Sequence, residues 1–143
     1  CLFIQAKKQR GNRMSPAFSD SNMKEKIQEY VLANKKIKAK FKLLFNDHSI
    51  QKIGVFGASG GLTALINILN FEETQRIKYI YDNDSLKHGK KIYGCDVIIS
   101  PPDSLYSDEF DRVLISSYLF DKEIRKQLLD CGVESKKIVS FCE

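Results

Sequence analysis

A glycine-rich loop offers the first chemistry in this sequence. It reads Phe-Gly-Ala-Ser-Gly-Gly-Leu over residues 56–62 and follows a short apolar segment. Glycine permits a tight turn and a close approach by a phosphate, whose oxygens can accept hydrogen bonds from the N–H groups at the start of a following helix. The predicted binding residues of this loop are Gly57, Ala58, Ser59, Gly60 and Gly61. The alternative is a glycine-rich turn that makes the connection and binds nothing.

The spacing of the glycines limits the kinds of nucleotide ligand that are expected at this loop. A full dinucleotide fingerprint would place glycines at positions 57, 59 and 62, but Ser59 and Leu62 occupy two of these places. The third glycine normally lets the helix lie close to the strand, so NAD in its usual pose is not expected. The functional interpretation of this loop is therefore a site for a nucleotide or a sugar phosphate.

Polar residues follow two further apolar segments. Asp82 stands 25 residues beyond Gly57, where a ribose-binding carboxylate stands in a dinucleotide fold, and Asn83 extends the polar cluster. Asp-Asn-Asp-Ser is also good turn chemistry, so a simple turn is the alternative. Ser116 and Tyr118 end a later segment, where the Tyr118 ring could stack on a base or its hydroxyl could bond to a sugar.

Catalytic and metal-binding patterns are absent from the sequence. It contains no nucleophile motif, no His-Glu-x-x-His and no Walker lysine. His88 stands alone in a lysine-rich loop and is predicted to be solvated. We therefore predict no catalytic residue, no metal site and no cofactor within this segment.

Short apolar runs that alternate with helical patterns must position these loops. Strands are predicted at 52–56, 77–81, 96–100, 112–116 and 137–141, and helices at 60–69 and 121–130. This alternation predicts an α/β fold, a Rossmann-like doubly wound parallel sheet of about five strands. Right-handed crossovers then place the strand-to-helix loops along one carboxyl-end edge, where ligands of this class bind.

A long amphipathic helix is predicted before the first strand, from about residue 23 to 45. Asn22 and Glu25 form a capping pattern, and an apolar stripe follows at Ile27, Tyr30, Val31, Ile37, Phe41, Leu44 and Phe45. We expect the stripe to pack on the sheet domain or on a second copy of the chain, so a homo-oligomer is one alternative. Ahead of this helix, residues 1–8 are predicted to be the end strand of an upstream domain and residues 9–22 a linker, which leaves 23–143 as the helix plus the Rossmann-like domain.

Charge and composition limit the partners. The 143 residues include 23 Lys or Arg against 18 Asp or Glu, and residues 1–50 hold eleven of the basic residues but only four of the acidic ones. Because no aromatic interleaving accompanies the basic run, we predict a solvated helix face and not a nucleic-acid arm. No apolar run is long enough for a membrane span. Four widely spaced cysteines predict reduced thiols and a cytoplasmic protein.

From Ile53 to about Gly132 the chain resembles the C-terminal domain of S-adenosylmethionine-dependent sugar C-methyltransferases. Gly57-Ala58 matches in the first loop, and Asp82 to Gly89 resembles the family's D-x-N-P-x-K-x-G. Gly94, Pro101 and the segment 111–124 continue the similarity, the last in register with D-Y-V-L-I-L-P-W-N-F-A-D-E-I.

The resemblance implies a division of labour. An upstream methyltransferase domain of the same chain would bind S-adenosylmethionine and perform the chemistry, while this domain would hold a nucleoside-diphosphate sugar. The parent protein would be an enzyme and this segment alone would be inactive. Two alternatives stay open, namely a nucleotide-binding regulatory domain of another sugar-modifying enzyme, and a structural or oligomerisation domain without a ligand.

Overall fold

The computed structural model describes residues 20–140, including the side chains of 23–28, 32, 35 and 39 onward in the first helix. The predictions for 1–8, for most of the 9–22 linker and for Phe141 lie outside the described residues. The chain divides into two compact units, residues 1–33 and 34–143. The sheet, the helical segments that pack on it and the surfaces discussed below belong to the second unit, whereas the first helix begins in the first unit.

Four helices and five strands make up the described chain. The helices are α1 (Asp20–Asn46), α2 (Gly60–Ile66), α3 (Phe71–Gln75) and α4 (Asp121–Asp130). The strands are β1 (Ile53–Phe56), β2 (Ile77–Tyr81), β3 (Ile99–Ser100), β4 (Arg112–Ile115) and β5 (Ile138–Ser140). Short 3₁₀ helices lie at Ser85–Lys87, Pro102–Tyr106 and Ser135–Lys137. No helix of the described chain is long and apolar enough to cross a membrane.

All five strands are parallel and lie in the order β3-β2-β1-β4-β5. The α/β fold with a five-stranded parallel sheet is therefore confirmed. The chain leaves the central strand β1 to form β2 on one side and later β4 on the other, so the topological switch point lies between β1 and β4. Phe56 at the end of β1 lies opposite Tyr81 of β2 and Ile115 of β4.

Both faces of the sheet are buried, which explains the nearly continuous apolar strands. On one face, Val55 and Ile80 pack with Leu62 and Leu65 of α2 and with Phe41 and Phe45 of α1. On the other, strand residues such as Val113 and Ile115 pack with Ile124 and Leu128 of α4. The two cores hold the carboxyl ends of β1, β2 and β4 in register.

The region between β1 and β2 differs from the prediction. The helix expected over 60–69 ends at Ile66, and a second helix, α3, follows. Asn70 starts α3 because its side chain accepts from the Glu73 N–H while the Glu73 carboxylate accepts from the Asn70 N–H. This capping box makes a new helix start more favourable than continuation of α2.

The third strand is also shorter than the predicted 96–100. It contains only Ile99 and Ser100, and Ile98 makes an isolated antiparallel bridge with Lys91. Gly94 just upstream has a φ of +84°, which turns the chain back on itself. The apolar run Val97-Ile98 therefore closes a small loop instead of extending the sheet.

Helix α1 begins at Asp20, so Asn22 lies inside the helix and is not its cap. Phe41 and Phe45 at its carboxyl end are each 1% exposed and join the core, as the stripe predicted, and Leu44 packs beside them. Ile27, in the first unit, is 55% exposed. The side chains of Tyr30, Val31 and Ile37 are outside the described residues.

Candidate ligand-binding cleft

A cleft of about 340 Å³ lies at the carboxyl ends of β1, β2 and β4, at the switch point of the sheet. Its walls are Phe56, Gly57, Ser59, Asp82, Asn83, Asp84, Lys87, Ser117, Phe120 and Ile124. Four predicted site residues are among them, namely Gly57, Ser59, Asp82 and Asn83. The structure therefore brings the first and second predicted loops together, although they are some two dozen residues apart.

Asp82 holds the two loops together. Its Oδ2 atom accepts the Ala58 N–H at 2.7 Å and the Lys87 ammonium at 2.9 Å, and its Oδ1 accepts the Asp84 N–H at 2.8 Å. Burial alone would raise the pKa of this carboxyl, but the bonds from Asp84, Lys87 and Ala58 outweigh it and hold the pKa below its ordinary value. The carboxylate is thus ionised and largely satisfied within the protein.

Gly57 and Ser116 form the floor behind the cleft. The buried Ser116 hydroxyl donates to the Gly57 carbonyl, and the Gly57 N–H donates to the Tyr81 carbonyl at 2.8 Å. Gly57 has a φ of +107°, and a Cβ there would lie 3.0 Å from Ser116 Oγ. Only glycine fits this turn without strain, so Ser116 and Gly57 shape the loop, and Ser116 is not among the residues that line the cleft.

Other predicted residues lie beside the cleft without lining it. Ala58 is buried and its N–H is used by Asp82, whereas Gly60 and Gly61 form the first turn of α2. Tyr118 is 57% exposed and is not among the lining residues. From the same loop, Ser117 and the exposed ring of Phe120 line the cleft.

Two charged residues were missed as site residues. Lys87 lines the cleft with its side chain 35% exposed, and its ammonium can donate beyond its bond to Asp82. Asp84 uses Oδ1 to accept the Leu86 N–H at 3.0 Å, which starts the 3₁₀ turn carrying Lys87. The Asp84 Oδ2 atom has no partner among the described residues. Asp84 belongs to the Asp-Asn-Asp-Ser turn, and Lys87 matches the lysine of the D-x-N-P-x-K-x-G motif. Neither residue was assigned a role in binding from the sequence.

The loop after β2 is fixed from two further sides. The side-chain amides of Asn83 and Gln127 bond reciprocally at 3.1 Å, which ties the loop to α4. His88, predicted to be solvated, is instead half-buried with Nε2 2.8 Å from the Asp82 carbonyl oxygen. A Lys-rich surrounding suggested solvent, but the 3₁₀ turn folds the ring back on the strand end.

The described residues contain no cluster of side chains that could hold a metal ion and no disulfide. Cys95 and Cys131 are free thiols. No group of three or more His, Cys, Asp or Glu residues between 20 and 140 is arranged to hold a metal ion. The residues that line the cleft offer hydrogen bonding, charge pairing and contact with the Phe120 ring.

Fold and cleft together define a Rossmann-like α/β domain with a cavity at its switch point that is lined by both apolar and charged side chains. The sequence model of a family described as C2185-like, N-terminal matches residues 49–139, which are 91 of the 143 residues. The chain therefore belongs to the C2185-like, N-terminal family. No curated protein matches the chain. The family match does not bear on the resemblance to sugar C-methyltransferases, which stays a prediction.

Proposed function

We propose that this domain binds a nucleoside-diphosphate sugar in the cleft and holds it for a sugar-modifying enzyme, without catalysing a step itself. The observation that carries the proposal is the convergence of unlike binding groups in one cavity at the switch point. Lys87 offers a cation, Asp84 a carboxylate oxygen without a partner among the described residues, and Phe120 a ring. The cavity of about 340 Å³ falls at the small end of the usual range for ligand pockets.

The roles of these groups differ from those first predicted. Asp82 is occupied by the protein's own donors, so Asp84 is the better acceptor for ribose or sugar hydroxyls. Lys87 supplies the charge for a phosphate, because α2 has only seven residues and its dipole is correspondingly short. The Phe120 ring is 60% exposed and can cover the face of a base.

The resemblance to sugar C-methyltransferases supports the wider proposal. In that case the partner is an upstream methyltransferase domain of the same chain, and S-adenosylmethionine binds there. Positioning of a substrate by a separate domain lowers a barrier by fixing geometry, without any local proton transfer. We expect calorimetry on residues 1–143 to give no binding of S-adenosylmethionine, and micromolar binding would contradict this assignment.

Binding of the sugar nucleotide is best tested by amide shift mapping in NMR. Because one domain makes only part of a full site's contacts, we expect affinity on the order of millimolar for uridine or thymidine diphosphate sugars. Shifts should cluster at 57–61, 82–87 and 116–120. Lys87→Gln should weaken binding several-fold, whereas Lys90→Gln, an exposed lysine outside the cleft, should not.

A structural domain without a ligand is the second candidate. The observation in its favour is that Asp82 satisfies the Ala58 N–H, a donor that a phosphate would otherwise use. Absence of shifts at several millimolar ligand, or equal effects of the two lysine substitutions, would favour this candidate and overturn the first.

A further inference from the structure

A second recessed surface, the Phe71 groove, lies around helix α3 and shares no residue with the cleft. Two adjoining hollows of about 770 and 790 Å³ form it, and both have Asn70, Phe71 and Gln75 in their walls. One extends towards the 91–96 loop and the other towards the end of α1 and the start of β2. The two hollows therefore lie side by side, with Phe71 in the wall of both.

Two aromatic rings stand open in this groove. Phe71 is 78% exposed and Tyr93 is 97% exposed, and both line the first hollow. The Asn70 capping box holds the backbone at Phe71, and Tyr93 lies in a turn closed by a hydrogen bond from the Cys95 N–H to the Ile92 carbonyl at 3.1 Å. A Cβ on Gly94 would lie only 2.9 Å from Ile66 Cγ2, which shows how closely this loop approaches α2. Exposed rings on a rigid frame are typical of contact surfaces.

The groove also carries an excess of positive charge. Its walls contain five cations and three carboxylates, namely Lys42, Lys52, Arg76, Lys78 and Lys91 against Glu72, Glu73 and Asp96. The cleft, by contrast, has Lys87 facing two carboxylates. Arg76 donates to the carbonyl oxygens of Phe45 and Asp47, which are neutral acceptors and leave its charge in place.

Ion pairing removes only part of this excess. Lys42 lies 2.7 Å from Glu73 and Lys91 lies 3.4 Å from Asp96, so these two pairs are balanced. Arg76, Lys78 and Lys52 then remain against Glu72 in the groove, although Lys52 also lies 3.6 Å from Glu109 outside it. The Lys91–Asp96 pair is exposed, so it is weak and screened by salt and can exchange partners with an incoming anion, whereas Glu73 in the other pair is buried.

We propose that the Phe71 groove binds single-stranded nucleic acid. Lysines and arginine would contact phosphates, Phe71 and Tyr93 would stack on bases, and the amide side chains of Asn70 and Gln75 could bond to base edges. An acidic polypeptide could use the cations but would leave the two rings without a role. Of the groove cations only Lys42 belongs to the basic run of residues 1–50, and the other four come from later in the chain.

The test is fluorescence anisotropy of a labelled decauridylate with the full chain. Binding should weaken by about tenfold between 50 and 200 mM salt, as expected for two or three phosphate contacts. Phe71→Leu keeps an apolar side chain but removes the ring, and it should weaken binding by about tenfold. Lys78→Gln should weaken binding less and reduce the salt dependence. Both residues are exposed, so the substitutions leave the fold intact.

Controls separate this site from the alternatives. Lys122→Gln on α4 should leave oligonucleotide binding unchanged, and so should Lys87→Gln in the cleft, so the two proposals can fail independently. No anisotropy change at about 100 µM protein would overturn the proposal. So would equal binding by Phe71→Leu, which would assign the effect to unspecific contact with basic helix residues. Competition by polyglutamate as strong as by unlabelled decauridylate would assign the groove to an acidic polypeptide instead.

Discussion

The cleft and the Phe71 groove lie in the same unit but use their polar groups in opposite ways. In the cleft, Asp82 accepts from two backbone amides and one lysine, so most of the charge is consumed in joining two loops. In the groove, Lys78 and the rings of Phe71 and Tyr93 face solvent. A residue such as Asp82, which the sequence suggests as a ligand-binding group, can therefore have a mainly structural role. Residues that the sequence analysis did not select, such as Phe71, can form a surface that is open to solvent.

The two regions should consequently differ in their sensitivity to substitution. A buried carboxylate with several partners cannot be changed without leaving donors unsatisfied. Exposed rings and lysines can be changed at almost no cost in stability. Stability measurements can thus separate residues that build the site from residues that are free to bind.

The largest effect should come from the core beneath the groove. Phe41 is 1% exposed, and Phe41→Ala should lower the free energy of unfolding by about 3 to 5 kcal/mol. Leu43 lies two residues further along α1 and is 71% exposed, so Leu43→Ala is a matched control with an effect within about 0.5 kcal/mol. Urea unfolding measures both. Similar values for the two variants would show that this end of α1 does not pack on the sheet.

The next largest difference in stability should separate two aspartates that each pair with a lysine. Asp82→Asn removes the buried charge that organises the cleft and should destabilise the fold by about 2 to 3 kcal/mol. Asp96 in the groove also pairs with a lysine, but its side chain is 95% exposed, so Asp96→Asn should cost less than about 0.5 kcal/mol. The same urea unfolding experiment compares them. A cost for Asp82→Asn as small as that for Asp96→Asn would mean that the cleft does not depend on Asp82.

Alanine substitutions at two glycines of the first loop should have different effects on stability. Gly57→Ala forces a side chain into a positive φ and against Ser116, which should cost about 1 to 3 kcal/mol. Gly60 in α2 has no atom within 4 Å of an added Cβ, so Gly60→Ala should leave stability unchanged or raise it slightly. Thermal unfolding measures both shifts. A stabilising Gly57→Ala would contradict the strained turn described above.

The smallest effect should appear in acid. The pKa of Asp82 in the folded chain lies below its ordinary value of 3.8, so its stabilising contribution is present above about pH 4 and is lost as the pH falls through the folded pKa. Glu73 and Asp111 behave in the same direction because their carboxylates accept hydrogen bonds. Stability should therefore decline below about pH 4, and the decline should be shallower in Asp82→Asn. Urea midpoints between pH 2.5 and 5 would show parallel curves if Asp82 contributed nothing.

The elements of the fold were largely predictable because their signals are local. Apolar runs marked every strand, and the prediction for α4 over 121–130 coincides with the observed helix. The misplaced boundaries between β1 and β2 have a local cause too, since the Asn70–Glu73 capping box could have been read from the sequence. The short β3 depends instead on Gly94 bending the chain, a conformation that glycine permits but does not require.

The position of the cleft followed from the same patterns, but the roles of its residues did not. A parallel sheet places the loops after β1, β2 and β4 on one edge whatever their side chains are, so Gly57 and Asp82 could be placed together. Whether Asp82 faces a ligand or the Ala58 N–H depends on a separation of less than 3 Å between residues 24 positions apart. No periodicity carries that information.

The sequence by itself determined the α/β class, the order of the five strands along the chain and the edge where polar loops gather, because these depend on hydrophobic period, glycine and turn chemistry. Only the tertiary structure decided which polar groups satisfy one another and which remain open to solvent. Asp82 and Lys87 form an ion pair. Phe71 and Tyr93 are 22 residues apart in the chain and line one hollow. Pairing and exposure are properties of packed surfaces, and they exist only after the two cores have brought distant segments together.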